Sequence, residues 1–128
     1  KIKNIEFLGF KSGEELEDII KGARFTLIPS IWYDNLPNTA LESFQYSKPV
    51  IASNIGSLPE LVVDGENGYL FKPADAEDLI KKIKLLDDDT VVEKMGAASR
   101  RRLESRFSPE THYEALMKVF SEAVKNNK

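Results

Sequence analysis

The chain has 128 residues, and 18 lysines and arginines stand against 21 aspartates and glutamates, so its formal net charge is −3. Its length suits one domain, and its 41% hydrophobic fraction is typical of a globular protein with a packed core. The small negative charge offers no general attraction to nucleic acid. The lack of cysteine excludes disulfide scaffolds, zinc fingers, iron–sulfur sites and thiol nucleophiles. Because the chain starts at Lys1 and soon enters an apolar segment, we expect residues 1–128 to be one partial domain of a longer protein.

Apolar runs alternate with helix-type spacing as far as residue 86. Strands are predicted at residues 5–8, 25–28, 49–52 and 68–71, each next to a glycine or proline. A helix is predicted after Ser12, which forms a capping-box pattern with Glu15, and another over residues 38–47. A single helical turn is predicted at residues 59–63. This alternation indicates an α/β fold with a parallel sheet.

The rest of the chain is predicted to be helical. Asp75 caps one helix, whose apolar stripe consists of Leu79, Ile80, Ile83 and Leu86. Two more helices follow at residues 91–106 and 108–125, the second with Ser108 at its N-cap and Pro109 at its first position. No strand separates them, so we expect two or three closing helices to cover one face of the sheet or to reach a neighbour.

The stretch from residue 29 to residue 42 runs from a strand through a loop into a helix, where ligands of open α/β sheets bind. At about 100° per residue, Asn38, Thr39, Glu42 and Tyr46 share one face of this helix, opposite Ala40, Leu41 and Phe44. The free N–H groups of its first turn form an anion site. Glu42 and Asp34 could each accept hydrogen bonds from hydroxyls. A nucleotide sugar carries hydroxyls, phosphate and hydroxyls in that order.

The same residues also have ordinary structural interpretations. Glu42 could lie on a solvated helix face, and Asp34 could be a turn residue. Trp32 and Tyr33 are predicted to pack against the protein rather than to stack on a ligand. The single histidine, His112, has no Cys or His partner nearby in the sequence, so we expect it to be structural or solvated and expect no metal site.

Seven short motifs follow one another between residues 4 and 71: FLGF at 7–10, LIPS at 27–30, WYDNLP at 32–37, LESF at 41–44, KPVIAS at 48–53, GSLPELV at 56–62 and DGENGYLF at 64–71. None is specific alone, but their order and spacing together are. They resemble the C-terminal, donor-binding half of the retaining glycosyltransferases of group 1 (family 4), which have the two-domain GT-B fold. The resemblance implies a Rossmann-like parallel sheet that is truncated at its N-terminus.

The signature of that family is a pair of glutamates separated by seven residues, and the matching pair here is Asp34 and Glu42. The resemblance implies that both are catalytic residues. Glu42 would bind the ribose hydroxyls of the nucleotide, and Asp34, with the N–H groups of Asn35 and Leu36, would hold hydroxyls of the donor sugar.

The resemblance also implies that the N–H groups of Asn38 and Thr39 face the diphosphate and that Gly56 belongs to the substrate-binding set. This sequence departs from the family pattern twice. Asp34 is one methylene shorter than the usual glutamate, and Ser57 stands where the family commonly has a second glycine.

The implied reaction moves a hexose from a nucleotide diphosphate sugar to a saccharide or lipid-linked acceptor, as in polysaccharide biosynthesis, without a cofactor. The family's acceptor-binding domain and two strand–helix units of its donor domain have no counterpart in this chain, so we expect the fragment alone to be inactive. Nucleic acid is not an expected partner. We expect a cytoplasmic protein, with peripheral contact at the inner face of the membrane as an option.

Truncation raises a question about the first predicted strand. In the family this strand is separated from the next one by the two missing strands. Residues 5–8 would therefore either pair directly with residues 25–28 or be displaced, or exchanged with another chain in a dimer.

Two other functions stay open. The Asp34 departure leaves room for a non-catalytic module that binds a nucleotide or sugar phosphate. A receiver-type signalling domain is a weaker alternative, suggested by the acidic run at residues 87–89 and by Lys72 followed by Pro73. A basic run of Arg100, Arg101, Arg102 and Arg106 could approach anionic lipid, although a solvated face balanced by Glu104 and Glu110 is the expected interpretation.

Overall fold

The computed structural model describes residues 3–126. Its helices are α1 (Gly13–Gly22), α2 (Asn38–Gln45), α3 (Leu58–Leu61), α4 (Ala76–Lys84), α5 (Asp89–Arg106) and α6 (Pro109–Asn126). Its strands are β1 (Thr26–Ile28), β2 (Val50–Ser53) and β3 (Gly68–Phe71), and they form one parallel sheet in the order β1-β2-β3. The predicted α/β class and parallel sheet are confirmed.

The core lies on both faces of this sheet. All four residues of the central strand β2 are buried, because alternate side chains point to opposite faces and both faces are covered. Val50 and Ala52 pack with Phe44 of α2 and the α3 segment on one side. Ile51 packs with Leu86 and Met95 on the other. The short parallel sheet is thus enclosed by helices, as the alternating sequence pattern predicts.

The strand predicted at residues 5–8 is absent. Within residues 3–126, β1 has β2 as its only sheet partner, so of the two predicted alternatives the direct pairing of residues 5–8 with residues 25–28 is wrong, and residues 5–8 are displaced from the sheet. The segment has no regular secondary structure and lies in solvent, and Phe7 is 94% exposed. A strand needs a neighbour for its backbone hydrogen bonds, and this apolar run has none. Exchange with another chain stays a prediction.

Two helix details also differ from expectation. Ser12 is the N-cap of α1, but its side chain makes no capping hydrogen bond. The capping box is therefore not formed, and the Glu15 carboxylate instead pairs with Lys11 at 3.4 Å. In α4, Asp75 does cap the helix by accepting the Asp78 N–H. Ile80, however, is 51% exposed, so the apolar stripe of α4 is narrower than predicted.

Helix α5 packs closely against the end of α2 and the start of β3. Gly96 lets α5 approach so closely that a Cβ there would lie 2.1 Å from the Ser47 carbonyl oxygen. Ser99 donates to the Asn67 carbonyl at 2.9 Å, and the Arg100 guanidinium donates to the Gln45 carbonyl at 2.7 Å. Through these contacts α5 holds both the end of α2 and the start of β3.

The arginine run is not simply a solvated face. Besides holding Gln45, Arg100 pairs with Glu104 at 2.6 Å. Within residues 3–126, the expected balance of the arginines by Glu110 does not form an ion pair. Arg102 donates to the Glu60 carbonyl at the end of α3, at 2.6 Å. Two of the four arginines therefore bind backbone carbonyls, while Arg101 and Arg106 are exposed.

Among residues 3–126, no helix is long and apolar enough to cross a membrane.

Replacing Gly96 with alanine should destabilise the protein, because the new methyl group would collide with the backbone of residue 47 and push α5 away from α2. Overpacking of this kind costs about 1–3 kcal/mol, measurable by chemical denaturation. Gly22→Ala is the matched control, because a Cβ at Gly22 meets nothing within 4 Å. Equal unfolding midpoints for the two variants would contradict this account of how α5 packs.

Candidate functional site

The first turn of α2 is open to a ligand. Its N-cap is Pro37, which offers no capping side chain, and no acidic residue lies in the turn. The Ala40 N–H donates to the Pro37 carbonyl at 3.0 Å. Within residues 3–126, the N–H groups of Asn38 and Thr39 have no acceptor, and both residues are exposed. Two free donors and the positive end of a helix favour an anion here.

The two faces of α2 are arranged as the sequence predicts. Ala40 and Phe44 are fully buried against the sheet, whereas Asn38 and Thr39 are exposed and Glu42 is half-buried. The carboxylate of Glu42 therefore belongs to the face that the open first turn presents.

A hydrogen-bond chain fixes this helix on the sheet. The Thr26 hydroxyl of β1 donates to the buried Ser43 hydroxyl at 2.7 Å. Ser43 in turn donates to the carbonyl of Thr39 at 2.7 Å. The first turn of α2 is thus tied to β1 by side chains. A ligand that binds this turn meets donors already held in place.

Glu42 lines a cleft of about 210 Å³ between α1 and α2. The cleft is lined by Gly13, Leu16, Glu17, Ile20, Glu42, Gln45 and Tyr46. The α1 wall carries the Glu17 carboxylate beside apolar Leu16 and Ile20, and the α2 wall carries the Glu42 carboxylate and the Tyr46 phenol. Such a lining suits a ligand with hydroxyl groups attached to a flat or apolar part.

A polar cluster that the sequence did not predict joins α1 to α2 at this cleft. Hydrogen bonding to the Tyr46 side chain and to the Lys21 ammonium holds the pKa of Glu17 below its ordinary value. Lys21 pairs with Glu17 at 3.3 Å and lies 5.0 Å from the centre of the Tyr46 ring. The spacing of Glu17 and Lys21 was visible in the sequence. The contact with Tyr46 needed the fold.

The Tyr46 contact should make stability depend on pH. A carboxylate whose folded-state pKa is lowered stabilises the fold above its unfolded pKa, and this contribution is lost as the pH falls through the folded pKa. At neutral pH the melting temperature of wild type should therefore be higher than that of Tyr46→Phe. The difference between the two melting temperatures should shrink towards zero in acid. Thermal unfolding from pH 7 down to pH 3 measures it, with Tyr113→Phe on α6 as the control. A difference that does not change with pH would contradict the proposed role of Glu17.

Asp34 lies in a second cleft, of about 410 Å³, lined by Tyr33, Asp34, Asn35, Gly56, Ser57 and Glu60. Gly56 approaches so closely that a Cβ there would lie 3.0 Å from the Asp34 nitrogen, and its φ of +59° favours glycine. The N–H and the hydroxyl of Ser57 both donate to the Asp34 carbonyl, at 3.2 and 2.9 Å. The structure thus brings together the predicted residues Asp34, Asn35 and Gly56.

The structure does not bring Asp34 and Glu42 into one cleft, because each lines its own, with the first turn of α2 between them along the chain. Leu36 is exposed beside Asn35. The prediction that Trp32 and Tyr33 pack against the protein is wrong, since they are 63% and 85% exposed. The loop that carries them buries little apolar surface of its own.

The remaining candidate residues have structural roles. Asp88 caps α5 by accepting the Thr90 N–H at 2.8 Å, and hydrogen bonding to the side chain of Thr90, with this N–H, lowers the pKa of Asp88. Asp89 pairs with Arg24. These acids lie at a helix junction and not at a strand end, so they are misplaced for a phospho-acceptor of the receiver type. His112 is exposed on α6, as predicted.

Comparisons with known proteins identify the family. Residues 1–102 match the family model "Glycosyl transferases group 1". An uncharacterised glycosyltransferase of Methanocaldococcus jannaschii is 32% identical over 94% of this chain and 34% of its own length. Among solved structures, sucrose-phosphate synthase from Thermosynechococcus elongatus superposes with a TM-score of 0.81 and 27% identity, covering 94% of this chain and 30% of that one.

A third similar protein, HepE from Anabaena in complex with UDP-glucose, has a TM-score of 0.82 at 21% identity, covering 94% of this chain and 33% of that one. The chain spans about a third of the length of the curated relatives it matches. The solved neighbours are GT-B glycosyltransferases, which confirms the predicted fold. With four fifths of its length covered by the family model, the chain belongs to the group 1 glycosyl transferases.

Proposed function

We propose that this chain is the donor-binding part of a retaining glycosyltransferase that moves a hexose from a nucleotide diphosphate sugar to a saccharide or lipid-linked acceptor. The observation that carries the proposal is the open first turn of α2, with Asp34 in the loop before it and Glu42 on its exposed face. The HepE structure with bound UDP-glucose supports a donor of this class.

Each part of the donor has a matching group. The N–H groups of Asn38 and Thr39 bind the diphosphate, because they are free donors at a positive helix end. Glu42, on the same face of α2, accepts hydrogen bonds from the ribose hydroxyls. Asp34 and the N–H groups of Asn35 and Leu36 hold the hydroxyls of the sugar that is transferred.

The same arrangement serves the reaction. Negative charge grows on the diphosphate as the bond between sugar and phosphate oxygen breaks. Donors already fixed by the hydrogen bonds through Ser43 and Thr26 meet that charge without reorganising. In other transferases a metal ion stabilises this charge. Because the N–H groups of α2 can do so here, we propose a metal-independent enzyme.

The location of the enzyme is part of the same proposal. We place it in the cytoplasm, because a chain without cysteine fits a reducing compartment. A peripheral contact with the inner face of the membrane would use Arg101 and Arg106, since they are exposed and Arg100 and Arg102 are engaged with backbone carbonyls.

Replacing Glu42 with glutamine should weaken nucleotide-sugar binding by the full-length protein about tenfold to a hundredfold. The reason is that the neutral amide keeps one acceptor oxygen and loses one charge-assisted hydrogen bond to the diol, which is worth about 1.5–3 kcal/mol. Calorimetric titration with a panel of nucleotide sugars measures the effect, and ligand-induced shifts of the melting temperature support it.

Glu93→Gln is the matched control, because Glu93 is an exposed glutamate on α5, outside both clefts. It should bind like wild type. Equal affinities of wild type and Glu42→Gln for every nucleotide sugar in the panel would remove Glu42 from the donor site.

The 128-residue chain by itself should not turn over a nucleotide sugar, whereas the full-length protein should. The resemblance to the family implies that the acceptor-binding site and part of the diphosphate-binding site lie in segments that this chain does not contain. The assay follows release of the nucleoside diphosphate, with circular dichroism confirming that the isolated chain is folded. Turnover by the chain alone would refute the assignment of a partial site. Full-length protein that binds a nucleotide sugar and never transfers it would establish the non-catalytic binding module instead.

A further inference from the structure

Ser57 uses its side chain in an unusual way for its position. It is the N-cap residue of α3, where a serine hydroxyl ordinarily accepts a hydrogen bond from the first turn of the helix. Here the side chain makes no capping hydrogen bond. The hydroxyl donates instead to the carbonyl of Asp34 at 2.9 Å, and the Ser57 N–H donates to the same oxygen at 3.2 Å.

The neighbouring glycine completes this hold on Asp34. A Cβ at Gly56 would lie 3.0 Å from the Asp34 nitrogen and 3.1 Å from its carbonyl oxygen. The backbone of Asp34 is therefore packed against Gly56 and bound twice by Ser57. Within residues 3–126 its carboxylate makes no hydrogen bond or ion pair, so the side chain is held only through its own backbone.

The backbone hold matters more for an aspartate than for a glutamate. An aspartate side chain has one methylene fewer, so its carboxylate can reach less far from the backbone and follows the position of the backbone more closely. A loop that carries the shorter acid must be placed more accurately for the carboxylate to meet a ligand hydroxyl.

We propose that Ser57 is a positioning residue for the donor sugar, because it fixes the Asp34 carbonyl and thereby the reach of the Asp34 carboxylate. This inference rests on the proposed function. The hydroxyl of Ser57 matters for the sugar part of the donor and not for the nucleotide part, which lies at α2.

The test compares four forms of the full-length protein: wild type, Ser57→Ala, Ser57→Thr and Ser121→Ala. Alanine at position 57 removes the hydroxyl and keeps the N–H, and threonine keeps both. Ser121→Ala is the matched control, because its hydroxyl also donates to a backbone carbonyl, that of Met117, at 2.8 Å on exposed α6. The probes are UDP-glucose, or the nucleotide sugar that wild type binds best in a panel, and the corresponding free nucleoside diphosphate.

Ser57→Ala should bind the nucleotide sugar about threefold to tenfold more weakly than wild type, the loss expected for one hydrogen bond. Its affinity for the nucleoside diphosphate should stay within about twofold. Ser57→Thr should recover most of the lost affinity, and Ser121→Ala should match wild type. Equal losses for both ligands, together with a lower melting temperature, would mean a merely structural role and would overturn the proposal.

Hydrogen exchange without ligand tests the role of Ser57 separately from the proposed function of the chain. The amide of residue 57, which donates to the Asp34 carbonyl, should exchange about threefold to tenfold faster in Ser57→Ala than in wild type after correction for the intrinsic rate of each residue type, and Ser121→Ala should show no change there. Unchanged exchange in a protein that binds nucleotide sugars would overturn the role of Ser57 and leave the proposed function intact. Wild type that binds no nucleotide sugar would overturn the proposed function, and the inference about the donor sugar with it.

Discussion

The first turn of α2 leaves two backbone N–H groups, those of Asn38 and Thr39, for which residues 3–126 supply no acceptor. In most helices a Ser, Thr, Asp or Asn at the N-cap would accept from such groups. Pro37 occupies that position here and has no side-chain acceptor. The fold tolerates the open turn because Asn38 and Thr39 are at the surface, where water can bind them. The arrangement thus keeps a helix end free, fixed and accessible, as the proposed binding of a diphosphate requires.

The rest of the domain serves to hold that turn. Beneath it, Ser43 links the Thr39 carbonyl to Thr26 of β1. Behind it, α5 approaches the end of α2 at Gly96, and the Arg100 guanidinium binds the Gln45 carbonyl. Both ends of a helix of only eight residues are therefore tied to other elements. A helix so short would be marginal in isolation, so its position depends on these contacts and on the buried face of Phe44.

Much of this could be predicted from local pattern, and the failures have physical causes. The strands at β2 and β3 and the two faces of α2 were predictable, because each segment carries its own periodicity and its own Gly or Pro boundary. Residues 5–8 have the same apolar character as β2, but a strand also requires a neighbour with free backbone groups, and sequence pattern does not reveal that. The acids Asp34 and Glu42 were found by motif, whereas the Glu17–Tyr46 contact joins two helices whose packing only the fold determines.

The departures from the family pattern gain meaning from the same structure. Read from sequence, Asp34 for glutamate and Ser57 for glycine are two unrelated changes, each of which weakens the match. In the folded structure these two residues contact each other, because the Ser57 hydroxyl and N–H both donate to the Asp34 carbonyl. A glycine at position 57 would keep the N–H and lose the hydroxyl. The shorter acid and the added donor therefore lie where one can offset the other, and the loop that carries Asp34 is held on one side by Gly56 and Ser57 while its carboxylate stays exposed in the cleft.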